Sequence, residues 1–459
     1  MRTVPPSSTW IRSKHDRARD SVRAASRAIG GRASIIKGTF DLTIEPDDPR
    51  LFYAITEATN PARLYGNGDL EGVVSNGNSG AGLTQEMAAS SAIGETIERF
   101  CCAIYDQQSL IVSSYTKLQR AGLKAVPPDA FALFSDRQYT QDGFMYQRFT
   151  YDTEVSWTWG YSLVKNEPVL VPACLVYLPY RYEHRGDLIA DGVSTGLCCG
   201  RSVAEAILGG LYEVVERDAI MIMWMNQLPC PGLNTASGLW LPKVLQERFA
   251  PSNLGFYIND ISTDIPVPVI FGLLIDERNE GMAVAVGASA NLDAEGAALK
   301  ALLEAAQGRL WLKSMKRSGT RVYREDFTDI EYFEDHVRLF GSLNSIPYVN
   351  FLTQRSVDKD IHSVRTLQVV DTAQDLERCV NVLAAKGFDV IVVNLTQPDI
   401  EDLGFFVVKV LVPGLVDINP NHNLPHLGGK RLYTVPRTLG YRDRTIREHE
   451  MTSIPHPFP

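Results

Sequence analysis

The residues with the most chemical promise are glutamates spaced three apart and followed by arginine. Glu95-Thr-Ile-Glu98-Arg99 returns later in the chain as Glu213-Val-Val-Glu216-Arg217. Each copy follows a glycine-containing approach, Ser79-Gly-Ala-Gly82-Leu-Thr84 and Ser194-Thr-Gly196-Leu-Cys-Cys-Gly200. At about 100° per residue, Ser91, Glu95 and Glu98 share one helical face. Glu205, Glu213 and Glu216 fall within a sector of roughly 80° on a second helix, and Lys300, Glu304 and Gln307 share a face of a third. The rest of each segment is apolar, with Ile93, Ile97 and Phe100 in the first, Leu208, Leu211 and Val215 in the second, and Leu302 and Leu303 in the third. These carboxylates are therefore not expected on a solvated surface. Six carboxylates in apolar helices repel one another at low dielectric unless something positive lies between them. Hard divalent cations suit carboxylate oxygens, and Mg2+ commonly joins one or two carboxylates to phosphate oxygens. Arg99, Arg217 and Lys300 would neutralise phosphates, while Gly82 and Gly200 would let backbone approach a ligand. One Glu-x-x-Glu-Arg alone is ordinary helix-surface pairing. Repetition on apolar faces points instead to an Mg2+–nucleotide site, built without a P-loop or dinucleotide fingerprint.

Three long helices must position these groups, and apolar periodicity predicts them over 84–105, 203–225 and 293–314. Strands are predicted near 254–258, 267–275 and 282–287, with a hairpin turning at Lys165-Asn166-Glu167-Pro168. A helix over 375–385, Gly387 as its C-cap and a buried strand over 389–394 follow. The N-terminus carries a basic amphipathic stretch over 11–29 and a strand-like run over 32–44. Pro420, Pro425, Pro436, Pro455, Pro457 and Pro459 leave the last forty residues without a regular element. Alternating helices and strands predict a mixed α/β (α+β) protein with helices layered on sheets.

The 459 residues are 45% hydrophobic and 22% charged, which is ample for a buried core. A net charge of -9 argues against nucleic acid as a partner. The longest apolar run, 405–416, is too short to span a bilayer, and the N-terminus lacks the apolar block of a secretion signal. A soluble, cytoplasmic protein is expected, with no membrane association. Seven cysteines without a Cys-x-x-Cys favour neither a disulfide framework nor zinc, and they read as small core residues.

Three segments, SGAGLTQEMAASSAIGETIERF (79–100), STGLCCGRSVAEAILGGLYEVVERDA (194–219) and ASANLDAEGAALKALLEAAQGRL (288–310), together resemble the signature helices of the YcaO superfamily. The likeness runs from about residue 60 to the end of the chain. It implies a YcaO-type fold of long acidic helices on mixed sheets around an Mg2+–nucleotide site. Residues 1–60 would be an N-terminal helix and strand segment, and 61–459 the ATP-binding catalytic domain. The resemblance implies that Ser91, Glu95, Glu98 and Arg99, then Glu205, Glu213, Glu216 and Arg217, then Glu304 and Gln307 contact ATP. Of these, Glu95, Glu98, Glu205, Glu213, Glu216 and Glu304 would hold magnesium. Arg201 stands where better-known members have Asn and Lys300 where Arg is frequent, and both keep phosphate-binding potential. Lys14 and Ser21 fit the family's Lys followed seven residues later by a Ser at the nucleotide.

Pro455-His456-Pro457-Phe458-Pro459 resembles the proline-rich tail that enters the active site in azoline-forming members, and 424–440 resembles the same subgroup. Extended proline-rich chain needs little ordering entropy, so Pro455 and Pro457 can hold the tail while the Pro459 carboxylate or His456 moves a proton. The activity implied is ATP-dependent cyclodehydration of Cys, Ser or Thr in a ribosomal precursor peptide to thiazoline or oxazoline, through phosphorylation of the backbone amide oxygen. The family also implies a homodimer and a separate leader-binding, E1-like partner, because no leader-binding segment is evident in the first sixty residues. An FMN-dependent azoline dehydrogenase would act afterwards. Two alternatives remain open here. ATP activation could deliver external sulfide or an amine, giving a thioamide or amidine, or the chain could be a non-catalytic ATP-binding accessory protein for another enzyme.

Overall fold

The computed structural model describes residues 6–30, 34–59, 77–317, 319, 321–354, 358–364 and 371–458, with side chains from residue 12 onward. The amphipathic N-terminal stretch is helix α1 (Pro6–Ala25), which lies on α2 (Gln85–Cys102). Strands β1 (Ile36–Asp41), β2 (Phe52–Ala58) and β3 (Gly77–Gly82) form an antiparallel sheet in that order. Strands β4 (Ile111–Ser114), β5 (Glu154–Ser162), β6 (Glu167–Pro172) and β7 (Leu197–Gly200) build most of a second sheet. Strands β8 (Gly232–Asn234), β9 (Gly255–Asp260), β10 (Val269–Ile275), β11 (Val284–Ala290) and β12 (Asp358–Asp360) form a third, in the order β11-β10-β9-β8-β12. The second sheet is completed by β13 (Ile391–Asn394) and β14 (Phe406–Leu411), giving β4-β5-β13-β14-β7 with β6 paired to β5. The hairpin expected across Lys165 to Pro168 is the β5–β6 pair.

Helices α3 (Val203–Asn226) and α4 (Ala294–Arg317) carry the other acidic faces. β3, β7 and β11 each lie at an edge of their own sheet, and each leads directly into one of the three helices. α2 packs on β2 and β3 of its own sheet and on β7 and β14 of the second. α3 packs on β7 and β14 and on β10 and β11 of the third, and α4 packs on β10 and β11 and then back on β3. Each helix therefore covers the edge of its own sheet and leans on the next, which closes a cycle of three strand–helix units. Covered by α3 and α4, every residue of β10 and β11 is buried, so neither strand shows polar alternation.

The three units are matched residue by residue. Each helix begins at a short polar cap, where Thr84 accepts from the Met87 N–H, Ser202 from the Glu205 N–H and Asp293 from the Glu295 N–H. Four residues after each cap stands a fully buried alanine, Ala88, Ala206 or Ala297. Eight residues after it stands Ala92, Gly210 or Ala301, also buried. These small residues let each helix close on its strand.

Two local expectations are corrected. Gly82 and Gly200 do not open space for a ligand: a Cβ on Gly82 would lie 2.7 Å from the Ala88 nitrogen, and one on Gly200 2.5 Å from the Ala206 nitrogen. They admit the following helix instead. The C-terminal region, expected to be irregular, contains a helix after α5 (Phe333–Gly341) and α6 (Thr372–Ala385), namely α7 (Arg431–Thr438) with Pro436 inside it. Proline cannot donate to the carbonyl four residues back, and that carbonyl, Leu432 O, accepts from Asn226 Nδ2 at 3.0 Å instead.

Candidate functional site

On each helix a glutamate stands eleven residues after the cap and reaches back to the strand of its own unit or to the residue just before it. Glu213 Oε2 accepts from the Gly196 N–H at 3.2 Å and Glu304 Oε2 from the Ala288 N–H at 2.9 Å, while Glu95 has the Ser79 backbone as its partner. The residue three positions later reaches the strand of the next unit. Glu216 Oε2 accepts from the Ala290 N–H at 3.0 Å, and Gln307 donates to Ser79 O at 3.1 Å and Ser79 Oγ at 2.7 Å. Glu98 completes the cycle by facing Cys198 of β7. The cycle of helices thus turns five glutamates toward one another.

Water reaches these side chains, with Glu95 37% and Glu213 25% exposed, yet desolvation dominates the acidity of both. Partial access combined with strong desolvation describes a recessed chamber inside the protein rather than an open surface. Burial pushes Glu98 and Glu216 up to about 8, aided by Glu213 beside Glu98 and by Glu304 beside Glu216. Desolvation likewise raises Glu95 and Glu213. Four cations stand among the five carboxylates. Arg99 lies 3.9 Å from Glu95 and 3.7 Å from Glu98, and Arg217 lies 3.7 Å from Glu213. Lys300 is held charged by Glu216, Glu304 and Glu213, against the opposing pull of burial.

The fourth cation, Lys409, was missed by sequence reasoning. It is 1% exposed on β14, donates to Val193 O at 2.6 Å and faces Asp417 and Glu213. Burial lowers its affinity for a proton. Its signal was a lone lysine inside the apolar run 405–416, since a buried charge without a purpose is costly.

The structure brings the remaining expected residues only part of the way. Glu205 is exposed at the start of α3, where it accepts from the Arg201 N–H at 2.9 Å, and it lies near Lys14 rather than in the ring of five. Lys14 also faces Asp293 and Lys300, which places it at the mouth of the chamber. Ser91 is exposed on α2, one turn before Glu95. The Ser21 hydroxyl donates to Arg17 O at 3.0 Å within α1. Arg201 turns away, because its Nη1 donates to Leu403 O at 3.0 Å and Gly404 O at 2.5 Å and its guanidinium lies 4.4 Å over the Phe405 ring.

The C-terminal tail runs along α3 toward the same chamber. Thr452 N donates to Met225 O at 2.9 Å and Trp224 Nε1 to Ile454 O at 3.0 Å, and farther on Phe458 packs 5.7 Å from the Arg217 guanidinium. Phe458 is 1% exposed and meets Phe271 edge-on at 5.4 Å. His456 is buried and stacked at 3.9 Å on His336, whose Nδ1 bonds the His456 carbonyl at 2.7 Å. Burial and the His336 ring hold His456 neutral. Pro455 and Pro457 are buried, and Pro459 lies outside the described residues.

Magnesium and nucleotide fit this chamber on one observation above all. Arg217 Nε and Nη1 are buried without a hydrogen-bond partner among the described residues, a state of a guanidinium that calls for an acceptor. The six glutamates do not form a closed metal cage. Among the described residues the only three carboxylates within 4.8 Å of one another are Glu45, Asp47 and Asp48, and Arg309 and Lys313 neutralise them. An ion in the chamber must complete its shell with ligand oxygens, as Mg2+ does with phosphates.

A family model described as YcaO cyclodehydratase, ATP- and Mg2+-binding, matches residues 79–416, which hold the three acidic helices and all but the start of their strands. The chain belongs to the YcaO family. This YcaO chain is 27% identical over 347 residues to an uncharacterised protein of Methanothermobacter thermautotrophicus, covering 73% of this chain and 80% of that one. A solved heterocyclase in complex with substrate and cofactor shares the fold with a TM-score of 0.78 at 23% identity, over 96% of this chain and 57% of that one. The YcaO chain therefore spans little more than half the length of that heterocyclase. YcaO from Methanopyrus kandleri, solved with AMPPCP and Mg2+, has a TM-score of 0.59 at 22% identity, over 91% and 92% of the two chains. The mixed α/β architecture is thus the YcaO fold. No described helix is long and apolar enough to cross a membrane.

Proposed function

We propose that this YcaO protein is an ATP- and Mg2+-dependent cyclodehydratase that converts Cys, Ser or Thr of a ribosomal precursor peptide to thiazoline or oxazoline. The observation that carries the reading is the chamber itself, in which five glutamates and three other cations surround an Arg217 with two buried donors unpaired among the described residues, and to which the tail is delivered. Glu95, Glu98, Glu213, Glu216 and Glu304 would hold Mg2+ in ones and twos, with Glu205 and Ser91 nearer the mouth. Arg99, Arg217, Lys300 and Lys14 would hold the phosphates. Bound ATP supplies an electrophilic phosphorus for the amide oxygen. The protein's own work is then electrostatic, since Arg217 and Lys300 offset charge that grows during phosphoryl transfer. On the tail, His456 Nε2 donates to Asn419 O at 3.1 Å, which leaves Nδ1, buried and without a partner among the described residues, as a hydrogen-bond acceptor for the substrate. The reading includes a homodimer, a separate leader-binding partner and a flavin-dependent dehydrogenase acting on the product.

The test is the mass of a candidate precursor, encoded in a short reading frame beside the gene, after incubation with the protein, its partner, Mg2+ and ATP. Loss of one water per modified residue with matching phosphate release is expected. Exchange of oxygen for sulfur when sulfide is supplied would move the assignment to thioamide formation. Absence of any mass change or phosphate release would leave an accessory role.

A further inference from the structure

A second cavity, of about 70 Å3, borders the chamber and is lined in part by Val193, Thr195, Leu411, Pro413, Asp417 and His426. The two spaces share a wall. Thr195 precedes Gly196, whose N–H binds Glu213, and Lys409 donates to Val193 O while facing Glu213. One water needs roughly 10–15 Å3 of such space, so the cavity suits a few waters or one small side chain with its adjoining carbonyl.

Among the described residues, two of its polar groups have no partner. Thr195 Oγ1 and His426 Nδ1 are both buried, their residues 5% and 4% exposed, and neither makes a hydrogen bond. The proton on His426 can be placed. Asn419 Oδ1 accepts from the Asn421 N–H at 2.9 Å, so Asn419 Nδ2 is the group that donates to His426 Nε2 at 3.2 Å. With Nε2 accepting, the imidazole hydrogen is on Nδ1, and burial keeps the ring neutral. The cavity thus offers two hydroxyl and imidazole donors that lack an acceptor. It also offers two carboxylates, Asp191 and Asp417, that both face His426, and Asp417 faces Lys409 and Arg217 as well. A void left by poor packing would be expected to lack such groups, because each orphaned donor costs stability.

We propose that this cavity receives the reacting residue of the peptide, a Cys, Ser or Thr side chain together with the carbonyl that precedes it, an inference that rests on the cyclodehydratase reading. Thr195 O–H and His426 Nδ1–H hold the carbonyl oxygen, and Asp417 is the base. The S–H or O–H bond of the substrate breaks as its proton passes to the Asp417 carboxylate. The freed electron pair forms the bond to the carbonyl carbon, and the carbonyl π pair moves onto the oxygen, which carries the negative charge toward the nucleotide chamber.

The substitution Thr195→Val separates this role from a structural one. Replacing an orphaned buried hydroxyl by a methyl group of the same shape leaves the melting temperature unchanged or raised if the hydroxyl has no ligand. The expected result is an unlowered Tm, Mg2+–ATP affinity within about twofold of the parent, ring formation on the precursor peptide reduced about tenfold, and recovery in Thr195→Ser. Asp417→Asn is expected to reduce ring formation about a hundredfold while Mg2+–ATP still binds. Parent-like ring formation by both Thr195→Val and Asp417→Asn would show a cavity that merely holds water and would overturn the proposal. Loss of Mg2+–ATP binding in Asp417→Asn would assign that residue to the nucleotide chamber and also overturn it. A parent protein that binds Mg2+–ATP but forms no ring with peptide and partner would overturn the functional reading, and this inference with it.

Discussion

Glu98 and Glu216 govern how the chamber should respond to pH. Burial raises both to about 8 from an ordinary 4.5, so between those values the folded protein without ligand keeps protons that the unfolded chain has already released. Their contribution to stability is therefore complete below about 4.5 and is lost as pH rises toward 8. Metal coordination requires the carboxylate form. Apparent affinity for Mg2+–nucleotide should accordingly increase from pH about 6 to about 8, with protons released on binding. Titration calorimetry in two buffers of different ionisation enthalpy measures that release, and binding without it would contradict these positions. Glu213→Gln keeps an acceptor for the Gly196 N–H but removes the charge beside Arg217 and Lys409. Phosphate release should fall by roughly a hundredfold while far-ultraviolet circular dichroism stays unchanged. The charge pattern of the glutamates was legible because it lies on single helices. Lys409 was not, since a lysine in an apolar run reads equally well as a strand breaker.

The strand–cap–helix unit explains why the glutamates point inward. Its small residues let the helix close on the strand, and its glutamate eleven residues after the cap then reaches a backbone N–H in or just before that strand. Gly287 of β11 tests this contact directly, because an added Cβ would lie 2.3 Å from Ala301 O and 2.7 Å from the Glu304 Cβ. Gly287→Ala should destabilise the protein by about 1–3 kcal/mol and weaken nucleotide binding by displacing Glu304, as followed by thermal melts and ligand titration. Gly94→Ala is the opposing case, an α2 position with nothing within 4 Å of the added Cβ, and should raise stability by about 0.5–1 kcal/mol. Two units were visible in the sequence through their shared Glu-x-x-Glu-Arg. The third was visible only as an acidic face, because Gln307 and Gly308 stand where the other two units have Glu and Arg. Its kinship lies in the cap, the alanines and the backbone contact of Glu304, which a search for charge alone passes over.

Across the molecule, the cycle of three helices makes the chamber and the C-terminal tail delivers chain to it. Asp218 on α3 holds Arg431 of α7 through Oδ1 at 2.9 Å and Oδ2 at 2.8 Å, and accepts from the Val416 N–H at 3.0 Å. This buried, hydrogen-bonded pair ties the C-terminal region to the helix that bears Arg217. Removing residues 455–459 exposes the pocket of Phe458 against Phe271 and deletes His456 from its stack on His336. Such a truncation should abolish peptide modification, read as water loss by mass spectrometry, while Mg2+–nucleotide binding persists. Loss of both together would mean that the tail builds the chamber rather than serving it.

Spacing along the chain was enough to set which glutamates share a face, where the helices begin and that the acidic segments belong together, because helical periodicity and capping depend on neighbours three to four residues apart. The meeting of those faces depends on contacts between residues hundreds of positions apart. Gln307 on Ser79 and Phe458 beside Arg217 are such contacts. Packing of each helix across two sheets drew five glutamates into one chamber, left Glu205 at its mouth and committed Arg201 to the carbonyls of Leu403 and Gly404. It also buried Lys409 among the carboxylates and left the donors of Thr195 and His426 without acceptors among the described residues.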